Sequence, residues 1–255
     1  MARIAWSKRL VKVLAVAVLV AATCISLGIW QIARLHQKQQ FNAAVLAGLA
    51  QPPQPVSSLL PAGVDPDAVQ YRRAEASGTY DVAHEVVLYG RTQDGQPGNH
   101  MLTPLELDDG GAILVDRGWV PLEVDEPGAA PAAPPSGEVT VGGVLFASEG
   151  DPPGPIDTSS APTTTMSKVD LARIQGQLPY RIAPVYLLVR DQTPDQPAGF
   201  PVPSPLPTLS DGPHLSYAIQ WFTFAAIAIA GFIVLALREG DRGPAADDDD
   251  DDEAG

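Results

Sequence analysis

Two uncharged apolar runs, Val13 to Ala33 and Leu215 to Leu237, stand near the two ends of this chain, each just over 20 residues long. A helix rises about 1.5 Å per residue, so a run of that length crosses the ~30 Å hydrocarbon core of a bilayer. With two such spans, the stretch between the runs lies on one side of the membrane and both ends lie on the other.

Charge orients that frame. On the terminal side the runs are flanked by Arg3, Lys8, Arg9, Lys12, Arg238 and Arg242, and on the loop side only by Arg34 and Lys38. Lys and Arg concentrate in cytoplasmic flanks, so both termini are expected in the cytoplasm and the central domain outside it. The basic start and Ala21-Ala22 also suit a cleaved signal peptide. The apolar stretch is longer than the 7–15 residues of such a signal, however, and continues through Ile29, Trp30 and Ile32. A retained anchor is the expectation. Residues 38–213 hold 9 cations against 21 anions within a net charge of −14. An acidic domain repels phosphates, which argues against a nucleic acid partner. Cys24 is the single cysteine and lies inside the first run, so no intrachain disulfide and no Cys-x-x-Cys centre forms.

The pattern predicts residues 1–12 as a cytoplasmic N-terminus, 13–33 as the first span and 34–70 as a helix extension with a Pro-rich linker. Residues 71–193 follow as the extracytoplasmic β domain, 194–213 as a second Pro-rich linker, 214–237 as the second span and 238–255 as an acidic tail. The first helix is expected to reach about Leu49, where Pro52, Pro53 and Pro55 end it. Strands are expected at Arg72–Tyr80, Glu85–Tyr89, Met101–Leu107, Ala112–Val120, Val139–Ala147 and Val185–Arg190, all short and β-branched or aromatic. Asp108-Asp109-Gly110-Gly111 reads as a hairpin turn, Asp151–Pro155 as a loop and Ser167–Gln175 as a short helix. The fold class expected is therefore an integral membrane α+β protein. Two transmembrane helices bracket an extracytoplasmic antiparallel β-barrel-like domain with one short helix. Asp247–Asp252 with Glu253 is a self-repelling block expected to stay disordered.

Chemistry-bearing side chains gather at one depth. On the first helix Trp30, Gln31, Arg34 and Lys38 recur at i, i+1, i+4 and i+8; on the second, His214, Tyr217 and Trp221 recur at i, i+3 and i+7. Both stripes fall at the outer interface. One reading is an aromatic belt with snorkelling cations. The other is a site for an amphipathic anionic cofactor such as haem, with His214 as iron ligand and Arg34 and Lys38 pairing with its propionates. Gln31 and Gln220 can also hydrogen-bond across the helices. His84 and His100 lack metal-spaced partners and are expected at the surface. In Arg117-Gly118-Trp119, Gly118 suits a bulge or a close backbone approach and Trp119 caps the core, while Arg117 and Trp119 also offer contacts to a partner. There is no phosphate-binding Gly-x-x-x-x-Gly-Lys-Ser, no Gly-x-Gly-x-x-Gly after a strand, no His-Glu-x-x-His and no Gly-x-Ser-x-Gly, so an enzyme is not expected.

Three separated motifs, in order, resemble the Surfeit locus protein family of cytochrome c oxidase assembly factors. They are Leu27-Gly28-x-Trp30-Gln31-x-x-Arg34-x-x-x-Lys38, then Thr103-Pro104-Leu105 with Leu114-Val115-Asp116-Arg117-Gly118-Trp119-Val120-Pro121, then His214-x-x-Tyr217-x-x-Gln220-Trp221-Phe222. Asp116 stands where the family usually shows Asn, and Gly212-Pro213 replaces a polar run common before the histidine. The resemblance implies a multi-pass protein of the bacterial plasma membrane that supports maturation of haem-copper oxidases at haem insertion into the catalytic subunit. It also implies that His214 is the proposed iron ligand, and that the partners are cytochrome c oxidase subunits and the lipid bilayer. The rival reading is a stable accessory subunit of a respiratory oxidase supercomplex that handles no cofactor.

Overall fold

The computed structural model describes residues 7–150 and 163–241. Arg3, the loop expected at Asp151–Pro155 and the acidic block Asp247–Asp252 with Glu253 lie outside the described residues. The chain divides into two compact units. One is built from residues 1–42 and 209–255, the other from 43–208.

The first unit is a helix pair. Helix α1 spans Lys8–Leu49, 42 residues, and helix α5 spans His214–Asp241, 28 residues. Both are long and apolar enough to cross a membrane, with mean hydropathies of 2.5 and 2.1 over their most apolar windows. At ~1.5 Å per residue α1 is about twice as long as a bilayer core is thick. Ser7 starts it by accepting the Leu10 N–H on its hydroxyl at 3.1 Å, the service expected of a serine N-cap. Ala21, Cys24, Gly28, Gln31, Leu35, Lys38 and Asn42 of α1 are buried or half-buried, as are His214, Ala218, Trp221, Ala225, Ala228 and Phe232 of α5. Both series step by three and four residues, the spacing that keeps one seam facing a partner helix. Ala21 and Cys24 pack with Ala225 and Trp221, while Gln31 meets His214, so the helices run antiparallel. A Cβ on Gly28 would stand 2.7 Å from the Phe222 ring. A side chain at this point of the seam would have to move that ring.

The second unit is a sheet. Its strands are β1 (Gln54–Pro55), β2 (Arg73–Tyr80), β3 (Val86–Gln93), β4 (Gln96–Leu107), β5 (Ala112–Pro121), β6 (Glu138–Ala147), β7 (Thr165–Met166) and β8 (Ile182–Thr193). Three short helices join them: α2 (Val56–Leu59), α3 (Pro66–Val69) and α4 (Leu171–Gln175), the last capped by Asp170, which accepts the Arg173 N–H. The spatial order is β1-β2-β6-β8-β5-β4-β3-β7, and β2 pairs with β4 as well. The ladders therefore run through β2, β6, β8, β5 and β4 and return to β2.

The wholly antiparallel sheet expected from the sequence is corrected to a mixed one. β5 and β8 pair in parallel, as do β1 with β2 and β3 with β7. Hairpins enforce antiparallel pairing only between consecutive strands; the residues between β5 and β8 leave room for the crossover that a parallel pair needs. The hairpin turn at Asp108–Gly111 forms as expected, with the Leu107 N–H donating to the Gly111 carbonyl at 3.0 Å. A second hairpin joins β3 to β4 through Asp94-Gly95, both at positive φ, the requirement of a tight two-residue turn.

Every residue of β5 from Ala112 to Val120 is buried, because both sheet faces are covered. Ile113 and Val115 join a core with Tyr80, Leu105 and Leu187. Leu114 faces the other way and packs with Leu102, Tyr186, Leu171 and Ile174. Residues 194–213, expected as an extended linker to the second helix, are tied to the sheet over part of their length. Val202 and Trp119 exchange two backbone hydrogen bonds at 2.8 Å. The prolines around Val202 lack N–H groups, and its own N–H, free to donate, is the one the strand edge takes up. Gly118, at φ +116°, lets this strap cross: a Cβ there would meet the Val202 carbonyl oxygen at 2.1 Å. This is the close approach expected of that glycine. His100 departs from the surface position expected for it, lying in β4 with its side chain only 13% exposed.

Candidate functional site

The seven residues singled out on the two helices separate into two faces. His214, Trp221, Gln31 and Lys38 lie on the seam; Trp30 and Tyr217 point away from it and are 52% and 46% exposed. The reason is geometric. Positions i and i+1 on a helix differ by about 100°, so Trp30 and Gln31 cannot share a face. Arg34, four residues after Trp30, lies with it on the outward face and stacks its guanidinium 5.9 Å from the Trp30 ring centre. It also donates to Gln37 Oε1 at 3.1 Å. Lys38 Nζ sits 4.8 Å from the Phe41 ring centre.

His214 is held from the opposite helix. Its Nδ1 lies 2.9 Å from Gln31 Oε1. An amide oxygen accepts only, so Nδ1 carries the proton of the neutral ring and Nε2 keeps its lone pair. Such a partner on one ring nitrogen is what orients a histidine whose other nitrogen ligates a metal. Trp221 packs two turns further along the same seam, edge-on to Phe224 at 6.0 Å. Sequence reasoning missed the residue that ties down the approach to His214. Asp211 accepts from Asn42 Nδ2 at 3.0 Å and from Gln39 Nε2 at 3.3 Å, two residues one turn apart on α1. Its signal was an acid three residues before His214, at the mouth of the second span.

In the sheet unit, Arg117 is a buried structural cation. Its Nη1 donates to Glu85 Oε2 at 2.9 Å, and its Nη2 to the Ala132 carbonyl at 2.7 Å and Gln196 Oε1 at 2.9 Å. The side chains of Arg117 and Glu85 are 2% and 0% exposed. Burial lowers the Arg117 pKa; Glu85 and the Tyr80 ring 5.3 Å away oppose that without cancelling it. Glu85 also accepts from the Thr103 hydroxyl and the Gly128 N–H. With this much of its reach committed internally, Arg117 acts as a core clamp rather than a partner contact. Asp81 gathers the Tyr180 hydroxyl and His84 Nδ1. Burial raises its pKa, but those hydrogen bonds, the His84 charge and the Ala83 N–H outweigh burial and hold it below the usual value.

A model of the SURF1 family matches residues 18–226, which takes in nearly all of the seam and the whole sheet unit. The chain belongs to the SURF1 family. A SURF1-like protein of Mycobacterium tuberculosis is 30% identical over 214 residues, covering 82% of this chain and 76% of the relative. One from Monosiga brevicollis is 28% identical over 237 residues, 88% of this chain and 87% of that protein. Surfeit locus protein 1 of Takifugu rubripes is 28% identical over 150 residues, 51% and 60% of the two chains. The family thus spans bacteria and eukaryotes, and its match includes His214, Gln31 and the buried β5 segment.

Proposed function

We propose that this SURF1 family member is a membrane-anchored assembly factor for haem-copper cytochrome c oxidase that assists haem insertion into the catalytic subunit. In this reading α1 and α5 cross the bacterial plasma membrane with both termini in the cytoplasm, as the Lys and Arg distribution favours. The sheet unit is then extracytoplasmic, and its returning ladder is a small barrel. The observation that carries the reading is the Gln31–His214 hydrogen bond at 2.9 Å, which joins two motif residues 183 positions apart.

The residues present fit a haem in their donor chemistry. His214 Nε2 would ligate the iron with Gln31 fixing the ring's tautomer, and Trp221 and Ala218 would give the seam an apolar wall. Lys38 on the seam and Arg34 one face away supply cations for propionates. A bound haem would supply an iron able to accept an imidazole nitrogen. The chain's own part is to hold that imidazole at the outer end of the helix pair and release its cargo to an oxidase subunit, a role of binding rather than turnover.

The test is a deletion strain with a tagged copy of the chain restored. An assembly factor leaves the oxidase catalytic subunit short of haem when deleted, and co-purifies with haem-deficient intermediates but sparsely with finished enzyme. One-to-one recovery with mature oxidase marks an accessory subunit instead. Normal oxidase haem content after deletion refutes the proposal.

A further inference from the structure

Ser204, His100 and Asp116 form a hydrogen-bonded row in the sheet unit. His100 Nδ1 lies 2.9 Å from Asp116 Oδ2, and His100 Nε2 lies 3.1 Å from Ser204 Oγ. The Asp116 side chain is 5% exposed, and its second oxygen accepts the Gly118 N–H at 3.0 Å. A carboxylate fixed at both oxygens holds the imidazole proton on Nδ1 and aims the Nε2 lone pair at the serine hydroxyl. These are the relations of orienter, base and nucleophile, which recur on unrelated folds and are recognised by geometry rather than by chain order. All three residues line one cavity of about 370 Å³, whose other walls include Leu88, Phe146, Leu188, Arg91 and Tyr186.

A tether is the plainer explanation, since Ser204 belongs to the strap over the sheet. Yet the strap is held without that hydroxyl. Val202 and Trp119 exchange their two backbone hydrogen bonds, and Arg190 donates to the Ser204 carbonyl oxygen. We propose that Ser204 is a nucleophile, deprotonated by His100 and positioned for it by Asp116, that accepts an acyl group from a small ester or thioester in this cavity. As Oγ bonds to the acyl carbon, its proton passes to His100 Nε2 and the carbonyl electron pair moves onto oxygen. That pair returns as the bond to the leaving alcohol or thiol breaks, and the leaving group takes the proton from Nε2. Water then attacks along the same proton path and releases the acid, restoring Ser204. Pro205 has no N–H to offer the oxyanion, which leaves that role to side-chain donors of the cavity wall, the Arg91 guanidinium and the Tyr186 hydroxyl among them. Burial, then Asp116 and Glu149, raise the Tyr186 pKa, which keeps that hydroxyl protonated. Arg91 also reaches Glu149 at 3.3 Å, which holds it at the cavity wall.

This inference goes beyond the oxidase role and does not rest on it. The test treats the full chain in detergent with a fluorophosphonate probe and maps the adduct by peptide mass spectrometry. Phosphonylation at Ser204 is expected, abolished in Ser204→Ala and slowed about 100-fold in His100→Gln, the scale of a lost general base. A p-nitrophenyl acetate burst is expected to follow the same order. A wild-type chain that stays unlabelled, labelling that survives in Ser204→Ala, or an unchanged rate in His100→Gln overturns the proposal. Should His100→Gln fail to fold, Ser204→Ala decides alone, because it removes one atom from a strap anchored by its backbone.

Discussion

Glu85 and Arg117 offer the sharpest test of how the sheet unit is held together. Glu85→Ala deletes the acceptor for three donors: Arg117 Nη1, the Thr103 hydroxyl and the Gly128 N–H. It leaves a guanidinium that is 2% exposed without its carboxylate, with Nη1 unpaired. Breaking a buried pair from one side costs about 3–5 kcal/mol. For a unit of this size, each kcal/mol moves the melting temperature by about 2–4 °C, so a loss of roughly 6–20 °C is expected. The companion is Glu85→Leu with Arg117→Met, which replaces both charges by apolar groups of similar reach. Removing both partners is often close to neutral, so the double variant is expected to melt above Glu85→Ala. The assay is thermal unfolding of the full chain in detergent, followed by the β-sheet circular dichroism signal. Completing the cycle with Glu85→Leu and Arg117→Met singly isolates the coupling, expected at about 2–3 kcal/mol for groups in one network. Strict additivity of the two single losses would refute the claim that these residues act as a pair.

Other outcomes follow from particular contacts. The Asp81 pKa is depressed, so its contribution is complete above the ordinary carboxylate value of about 3.9 and is lost as pH falls through the folded value. Asp81→Asn is therefore expected to be less stable than wild type at neutral pH and to flatten the acid limb of stability against pH; parallel limbs in the two proteins count against this. Cys24 and Ala225 belong to one packed cluster across the helix seam. Ala225→Cys is expected to form an intramolecular disulfide with Cys24 under mild oxidation in membranes, read by mobility on a non-reducing gel. Adding Gly28→Val, whose side chain has to displace the Phe222 ring, is expected to cost about 1–3 kcal/mol of overpacking and lower the cross-linked fraction.

The two long helices were legible because length and hydropathy act locally, and α1 ends at Leu49 where the proline cluster requires it. Strand positions were legible for the same reason: β5 differs from its expected span by the single residue Pro121. Pairing partners were not. Nothing local to Ala112–Pro121 says that Ile182–Thr193 lies beside it in parallel, since that choice is made by the core that both strands share. Asp94-Gly95 carried a hairpin signal that passed unread, and β3 therefore extends to Gln93 rather than Tyr89. On the helices, Gln31 was expected to reach Gln220 across the pair, and the structure gives it His214 instead. The seam then divided the stripe, because a three–four spacing selects Gln31 and Lys38 and turns Trp30 and Arg34 outward. His100 was misplaced because its partners, Asp116 and Ser204, are 16 and 104 residues away and no local pattern joins them.

The visible spectrum of the purified full chain, titrated with haem in detergent, bears most directly on the role assigned to His214. A Soret band that saturates at one haem per chain and vanishes in His214→Ala is expected. Gln31→Leu, which removes the partner that orients the imidazole, is expected to bind about 10–100-fold more weakly. A Soret band unchanged in His214→Ala would contradict that role.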